Sequence, residues 1–192
     1  MAQRLSVKDM ANLARGFIHA LTVYEDPDNV HADTDKLILI GTNAIEKMSL
    51  RGIFRSNDAG ATWATSDSGI GWPCCNYQIA SFAVSGPNIY AGTWGGGVFL
   101  SVDDGETWSA TGGVPGDPYP IVTALAACMR GDRVYAGGNF GAAISNDAGA
   151  SWTQVSDGLS GGWVRDLALR GTTLYAMLDD GVYRLAPGST AW

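Results

Sequence analysis

The sequence predicts an all-β protein made of four repeated units, and three observations support this prediction. The first is an octapeptide of the form Ser-x-Asp-x-Gly-x-Thr/Ser-Trp, which recurs three times at spacings of 45 and 44 residues. The second is the composition, with 26 glycines, 7 tryptophans and only 16% charged residues, which suits short strands joined by tight turns. The third is a series of short alternating apolar runs in each repeat. The octapeptides are SNDAGATW at 56–63, SVDDGETW at 101–108 and SNDAGASW at 145–152.

Each unit contains four candidate strands, named A to D. In the second unit, strand A is QIASFAV at 78–84, strand B is NIYAGT at 88–93, strand C is GVFLS at 97–101, and strand D follows the octapeptide. Repeats of about 40–50 residues indicate propeller blades or solenoid units. A four-stranded meander is the blade of a β-propeller. We therefore expect a small β-propeller of four four-stranded units, one domain over the 192 residues, with units at about 17–66, 67–111, 112–157 and 163–192.

The fourth unit repeats the pattern without the octapeptide chemistry. Its last stretch, GVYRLAPGSTAW at 181–192, aligns without gaps on GVFLSVDDGETW, so that Trp192 matches Trp108. Pro187 and Ser189 stand at the aspartate and glycine positions of the octapeptide. The first unit differs in another way, because it carries an insertion, AIEKMSLR at 44–51, between strands B and C.

The N-terminal segment 3–15 has two interpretations. Strand D of the fourth unit is missing after Trp192, and QRLSV at 3–7 could supply it, which would close the exposed edge of the last sheet. Alternatively, SVKD at 6–9 is a capping box that predicts a helix, and a helix would leave that edge open to a partner. We favour a strand that ends near residue 7, followed by a short helix over about 8–15.

The octapeptide is interpreted as a folding device on the turn between strands C and D. An aspartate can accept hydrogen bonds from the backbone of its own turn, glycine supplies a left-handed residue, and a Ser or Thr hydroxyl closes the turn. The tryptophan then buries a large apolar area against the sheet. The residues expected in these structural roles are Asp58, Gly60, Trp63, Asp103, Gly105, Trp108, Asp147, Gly149 and Trp152.

These octapeptides resemble the Asp-box, also called the BNR repeat, and the resemblance extends from about Phe17 to Trp192. Similar boxes mark the propellers of sialidases, oligoxyloglucan-acting glycosidases, sortilin-type receptors and photosystem II assembly factors. The resemblance implies that the boxes lie on the rim away from the ligand face. It therefore implies that the box aspartates are structural and do not form a metal or acid–base site.

A glycoside hydrolase is one function that the resemblance suggests, alone or as a piece of a larger enzyme. A sialidase of this kind would need an arginine triad, a Tyr–Glu pair, an acid aspartate and an Arg-Ile-Pro motif, and the sequence contains no Arg-Ile-Pro. Hydrolysis also needs two facing carboxylates. Asp117, Asp166, Asp179 and Asp180 are candidates, but no spacing selects a pair. We assign no catalytic residue and favour a non-enzymatic function.

The favoured function is a binding module. In a propeller, the D–A and B–C connections share one face, opposite the A–B and C–D turns. Glycine-flanked aromatic residues in these loops can stack on sugars or form protein hot spots, so the predicted partner is a protein or a glycan. For Trp94 and Phe140, packing between units is an equally good interpretation, and for Trp163 it is the better one. The predicted binding face comprises Trp72, Asn76, Tyr77, Trp94, Tyr119, Asn139, Phe140 and Trp163.

The third hypothesis is a structural subunit, or a fragment of a larger propeller assembly, whose edges join a partner or another copy. Four units are the lower limit for closed propellers, and an unsealed ring would expose strand edges.

Composition excludes other classes of function. A net charge of −7 without a basic cluster argues against nucleic acid as a partner. The longest apolar run, at 37–40, is far shorter than a membrane span. The N-terminus lacks the apolar region of a signal peptide, and the sequence does not assign a cellular compartment. Cys74, Cys75 and Cys128 lack the spacing of a metal site. No cofactor or metal is predicted.

Overall fold

The computed structural model describes residues 17–24, 37–43, 52–71, 78–116, 118–128 and 133–192. Within these ranges the chain forms strands and no helix, and the strands assemble into four antiparallel sheets. The strands are β1 (Phe17–Tyr24), β2 (Leu37–Asn43), β3 (Gly52–Ser56), β4 (Ala64–Thr65), β5 (Ile79–Ser85), β6 (Asn88–Thr93), β7 (Val98–Ser101), β8 (Ser109–Ala110), β9 (Val122–Ala127), β10 (Val134–Gly138), β11 (Gly141–Ser145), β12 (Thr153–Gln154), β13 (Asp166–Arg170), β14 (Thr173–Leu178) and β15 (Gly181–Leu185).

Each sheet is a meander of one repeat unit, which confirms the predicted all-β fold. The first three sheets contain four strands each, in the orders β1-β2-β3-β4, β5-β6-β7-β8 and β9-β10-β11-β12. The fourth contains β13-β14-β15, so its strand D is absent from the described residues. The strand predicted at 3–7, the helix at 8–15 and the insertion at 44–51 lie outside the described residues. In the described part of the chain, no helix is long and apolar enough to span a bilayer.

Tight turns join strands A and B in the second and fourth units. Ser85 pairs with Asn88 across a two-residue turn in which Gly86 has a φ of 55°. Arg170 pairs with Thr173 in the same way in the fourth unit. Because a left-handed turn residue matches the twist of the two strands, glycine at this position favours a two-residue hairpin.

The units pack side by side in chain order. The first strands of successive units are in contact, so β1 lies against β5, β5 against β9, and β9 against β13. An apolar cluster fills each of these seams. The first-to-second seam is built around Leu39, Ile79 and Trp108, and the third-to-fourth around Tyr135, Val164 and Leu174. The fold therefore consists of four sheets joined by three apolar seams.

A glycine near the end of strand B makes each seam close. A Cβ atom on Gly41 would lie 2.5 Å from the Cβ of Ile79, and a Cβ on Gly137 would lie 2.5 Å from Cγ1 of Val164. Gly92 has the same register position in the second unit and faces Val122 at 2.8 Å. Because carbon atoms do not approach this closely without a shift, only glycine fits at these three positions.

Candidate functional site

The octapeptides form nearly identical turns at one edge of the sheets. In the third unit, the Oγ of Ser145 donates to Oδ1 of Asp147 at 2.7 Å. The backbone N–H and the hydroxyl of Ser151 donate to the two carboxylate oxygens, at 2.9 and 2.5 Å. The N–H of Gly149 donates to Oγ of Ser145 at 2.8 Å. The same contacts recur around Asp58 and Asp103.

The turn contains two left-handed residues, and the sequence reasoning assigned only one. Gly149 has a φ of 90°, and the residue before it, Ala148, also has a positive φ of 54°. Ala59 and Asp104 occupy the same position in the other two turns, with φ values of 55° and 56°. A non-glycine residue in this region is strained. The many hydrogen bonds to the aspartate therefore hold the backbone in a conformation that the local residue alone would not choose.

These hydrogen bonds also fix the charge of the aspartates. The pKa of Asp58 is lowered to about 2, first by the Thr62 hydroxyl, then by the Thr62 backbone N–H and by Ser56. The pKa of Asp147 is lowered to about 2 by the corresponding donors of Ser151 and Ser145. Burial raises the pKa of Asp103, but donors from the same turn outweigh it and the net shift is downward. Carboxylates so held are ionised at neutral pH and are poor general acids.

The tryptophans of the turns connect neighbouring units. The indole N–H of Trp108 donates to the backbone oxygen of Ser66 at 2.8 Å, across the first seam. The indole of Trp152 donates to Oγ1 of Thr111, and that of Trp192 to the backbone oxygen of Val155. Trp63 belongs to the first unit and donates to Gly60 of its own turn at 3.0 Å. We expected each tryptophan to pack within its own unit, but three of the four bridge to the preceding unit.

The opposite edge, named the loop face, collects the B–C and D–A connections. Because the strands are antiparallel, the start of strand A pairs with the end of strand B, as Ile79 does with Thr93 and Val122 with Gly138. The residues preceding strand A and following strand B therefore lie at the same edge. Loops at a common sheet edge, supported by regular strands, are where binding residues concentrate.

Two tryptophans from different units meet on the loop face. Trp94 follows β6 and Trp163 precedes β13, and their ring centroids are 5.8 Å apart at an interplanar angle of 52°. Trp94 is 40% exposed, and its backbone N–H donates to the oxygen of Gln78 at 2.9 Å. Trp94 also pairs with Ile121 at the start of the third unit. The contact between Trp94 and Trp163 therefore connects the second unit with the segment that leads into strand A of the fourth unit.

Arg165 lies next to the two tryptophans and contacts Trp163. Its guanidinium carbon lies 5.3 Å from the centroid of the Trp163 ring. Its Nε and Nη2 donate to the two carboxylate oxygens of Asp179, at 2.9 and 3.0 Å. The hydrogen bonds of this pair raise the pKa of Arg165 and lower that of Asp179. A guanidinium held over the ring by two hydrogen bonds to Asp179 favours this orientation of the Trp163 ring.

A groove of about 210 Å³ lies at the glycine run that follows Trp94. One wall is the glycine run 95–97 and the other is Pro118-Tyr119-Pro120, and Tyr119 is 68% exposed. The backbone N–H groups of Gly95 and Gly97 both donate to the oxygen of Pro120 and thus tie the walls together. The groove is therefore a depression held by backbone hydrogen bonds, with the exposed Tyr119 in one wall and Trp94 directly before the glycine run of the other.

Asn139 and Phe140 lie on the same face but are engaged by the framework. The side-chain oxygen of Asn139 accepts a hydrogen bond from the backbone N–H of Ile121 at 3.0 Å. Phe140 is half-buried and packs against the cluster that contains Val98 and Val114 in the second seam. Both side chains are therefore partly buried and stabilise the loops through contacts within the chain.

The carboxylates considered for hydrolysis have structural contacts. Asp179 binds Arg165, and hydrogen bonds from Ser160 and Tyr183 lower the pKa of Asp180. Asp166 accepts the backbone N–H of Leu167 at 2.8 Å. A glycosidase acid needs a raised pKa, and Asp179 and Asp180 have the opposite shift. Within the described residues, no three His, Cys, Asp or Glu side chains gather as a metal site would.

Several predicted residues lie outside the described residues. Trp72, Asn76 and Tyr77 of the predicted binding face do so, as does the carboxylate Asp117. Conversely, sequence reasoning missed Arg165 as a partner of Trp163. The only signal for it is a register argument, because Arg165 and Asp179 flank two antiparallel strands that the sequence had already predicted.

Neither a family model nor a curated protein matches the chain. Solved structures do match it. A structure of YCF48 bound to D1 peptide aligns with a TM-score of 0.63 at 18% identity, over 100% of this chain and 57% of that chain. YCF48 from Cyanidioschyzon merolae aligns with a TM-score of 0.60 at 15% identity, over 92% of this chain and 55% of that chain.

The WD40 repeats of RRP9 align with a TM-score of 0.60 at 15% identity, over 84% of this chain and 45% of that chain. WD40 repeats are propeller blades of four strands. The fold is a β-propeller. The chain spans little more than half the length of the two YCF48 structures, and at these identities the similarity concerns the fold alone.

Proposed function

We propose that this chain is a propeller binding module of the Asp-box type, and that its loop face binds a segment of a protein partner. The observation that carries the proposal is the groove lined by Tyr119, with the exposed Trp94 directly before its glycine wall. Exposed aromatic residues beside a rigid depression give contact area at low entropic cost, because the loops are already fixed. One match of the same fold was solved with a peptide bound, which supports a peptide as occupant.

The residues have distinct roles in this proposal. Trp94 and Tyr119 contact the bound segment directly, since both are exposed, Tyr119 lines the groove and Trp94 precedes its glycine wall. Trp163 and Arg165 position the contact residues, because Trp163 packs against Trp94 and the guanidinium of Arg165 packs on Trp163. Asn139 and Phe140 position the loops. Trp72, Asn76 and Tyr77 remain proposed contacts on the same face.

A glycan is the second candidate for the loop face. Exposed aromatic rings flanked by glycines can stack on a sugar ring, and Trp94 and Tyr119 offer two such rings. The two candidates differ in one measurable respect, since a peptide segment would fill the groove whereas a sugar would stack on a ring.

The test is a displayed library of random peptides, screened in parallel with a glycan array, using the whole chain. Wild-type protein should select peptides, and Trp94→Ala and Tyr119→Ala should each weaken the selected peptides by about tenfold or more. Val102→Ala is the matched control, because Val102 is 67% exposed on an octapeptide turn at the other edge. Its affinity should not change.

The same variants decide between contact and structural roles. Trp94→Ala should leave the free energy of unfolding within about 1 kcal/mol of wild type, as for a surface residue. A loss of several kcal/mol would show that Trp94 mainly fills a seam. Selection of glycans and of no peptide would replace the proposal by its second candidate. Selected peptides that bind both variants normally would refute the loop face as the site.

A further inference from the structure

The octapeptide turns of the second and third units pack on the unit before them. A Cβ atom on Gly105 would lie 3.1 Å from Cδ2 of Leu39, in strand B of the first unit. The carbonyl of Gly105 also accepts a hydrogen bond from the hydroxyl of Ser66 in that unit. Gly149 has the same position in the third unit, and its carbonyl accepts the N–H of Gly112 of the second unit at 2.8 Å. In these two seams the turn therefore closes against the preceding unit.

The corresponding turn of the fourth unit is built differently. Leu185, Pro187 and Ser189 replace the first serine, the aspartate and the glycine of the octapeptide. The backbone hydrogen bond of this turn runs from the N–H of Ser189 to the oxygen of Ala186, one residue earlier than in the octapeptide turns. Every hydrogen bond that the structure gives Ser189 is with Ala186 or Ala191, within its own turn. Ser189 therefore makes no bond to the third unit of the kind that Gly105 and Gly149 make to the units before them.

A groove of about 300 Å³ lies at this point, between the third and fourth units and at the octapeptide edge. We name it the seam groove. Its apolar lining includes Ile144 and Val155 of the third unit and Leu174 and Leu185 of the fourth. The two units stay joined beside it, because the indole N–H of Trp192 donates to the oxygen of Val155. A volume of this size is at the lower end of the range for small-molecule pockets.

A nearly buried tyrosine in the seam groove lacks a hydrogen-bond partner. Tyr135 lines the groove and is 5% exposed, and its hydroxyl bonds to no group that the structure describes. Tyr90 has the same strand B position in the second unit, and its hydroxyl accepts a hydrogen bond from Nδ2 of Asn88 at 3.5 Å. Polar groups so far from solvent normally have a partner. The hydroxyl of Tyr135 is therefore a donor for a molecule in the groove.

The other polar groups of the seam groove favour an anion. The Nε of Arg133 donates to Oδ1 of Asn146 at 3.0 Å, and both residues line the groove. Among the described residues, no carboxylate forms an ion pair with Arg133 and no acidic residue lines the groove. The two Nη groups of Arg133 and the amide nitrogen of Asn146 thus remain as donors. The planar guanidinium matches the two oxygens of a carboxylate.

We propose that the seam groove binds a small organic monocarboxylate with a branched aliphatic or aromatic body. Arg133 and Tyr135 are two residues apart at the start of β10, so their side chains lie on the same side of the strand and donate to one carboxylate. The apolar body packs on Leu174 and Leu185. One guanidinium balances one negative charge, and the net charge of −7 disfavours a dianion such as a phosphate ester.

The experiment is a ligand-observed NMR titration of the full chain with 4-methylpentanoate and phenylacetate, each beside its primary amide. The acids should bind, and the amides should bind about tenfold more weakly or less, because they lack the charge. Arg133→Gln and Tyr135→Phe should each weaken the binding of the acids by about tenfold or more. Arg184→Gln is the charge-matched control, since Arg184 precedes the groove residue Leu185 in β15 and so lies on the other side of that strand.

The outcomes separate this site from the loop face. Trp94→Ala should leave the binding of the acids unchanged, and a loss of binding in that variant would place the acids on the loop face and overturn the inference. Arg133 is exposed and Tyr135→Phe keeps the ring, so both variants should fold, which their melting temperatures check. Wild-type protein that binds neither acid would overturn the proposal. So would acids and amides of equal affinity, or acids that bind Arg133→Gln and Tyr135→Phe as they bind the wild type.

Discussion

At the scale of single residues, the octapeptide aspartates bind their turns through ionised carboxylates. Asp58 and Asp147 receive hydrogen bonds at both oxygens, and their pKa values fall to about 2 from an ordinary 3.8. A carboxylate whose pKa is lower in the folded than in the unfolded state adds stability above the unfolded value. This contribution decreases as the pH falls from about 4 towards 2.

The first prediction concerns Asp147→Asn. The amide keeps one acceptor but loses the charge, so the melting temperature should fall at neutral pH. The difference from wild type should narrow as the pH drops below about 4, where the wild-type carboxylate becomes protonated. Asp157→Asn, at an exposed site outside the octapeptides, is the charge-matched control and should change little. A difference that stays constant down to pH 2 would contradict this account of the turn.

At the scale of elements, the tryptophans act between sheets. Trp108 and Trp63 are both buried, at 3% and 6% exposure, and hold the same position in the repeat. They differ in the acceptor of the indole N–H. Trp108 donates across a seam to Ser66, whereas Trp63 donates to Gly60 in its own turn. The two residues therefore allow the bond between units to be compared with the bond within a turn.

The second prediction compares Trp108→Phe with Trp63→Phe. Both substitutions remove similar apolar area, but only the first leaves a buried carbonyl of the neighbouring unit without its donor. Such an unsatisfied group costs about 1–3 kcal/mol. The free energy of unfolding should therefore fall further for Trp108→Phe, as measured by denaturant titration of both variants. Equal losses would show that the bridge adds nothing beyond burial.

The sequence predicted the repeated elements well because they follow from local rules. The alternating runs, the turn glycines and the octapeptides identify strands A to C in every unit, including the fourth, where only Trp192 of the octapeptide remains. The contacts between units were not predictable. The strand pattern of a single sequence places Arg165 and Asp179 in neighbouring loops. It does not predict that the two side chains form hydrogen bonds, or that the guanidinium of Arg165 lies over the Trp163 ring.

The role of the strand B glycines could not be predicted from the sequence either. Gly41, Gly92 and Gly137 read as ordinary small residues at the ends of strands, and nothing local requires glycine there. Their backbone is not in the left-handed region, and the requirement comes from the strand of the next unit.

At the scale of the whole molecule, each unit packs mainly against its neighbours, and the Trp94–Trp163 contact also joins the second unit to the fourth. Among the described residues, the extensive contacts between first strands follow chain order, and one apolar cluster fills each seam. In such a repeat array, stability is approximately a sum of unit terms and nearest-neighbour terms. A defect at one seam should therefore weaken the adjoining units more than distant ones.

The last prediction uses the seam between the third and fourth units. Gly137→Ala would place a Cβ 2.5 Å from Cγ1 of Val164, and overpacking of this kind costs about 1–3 kcal/mol. Gly113→Ala is the control, because no heavy atom lies within 4 Å of a Cβ there. Amide hydrogen exchange of Gly137→Ala should show protection lost over β13–β15 and retained over β5–β7, since the fourth unit can open while the first three stay packed. Equal loss of protection in every strand would instead mean that the four units unfold as one cooperative block, and the nearest-neighbour description would fail.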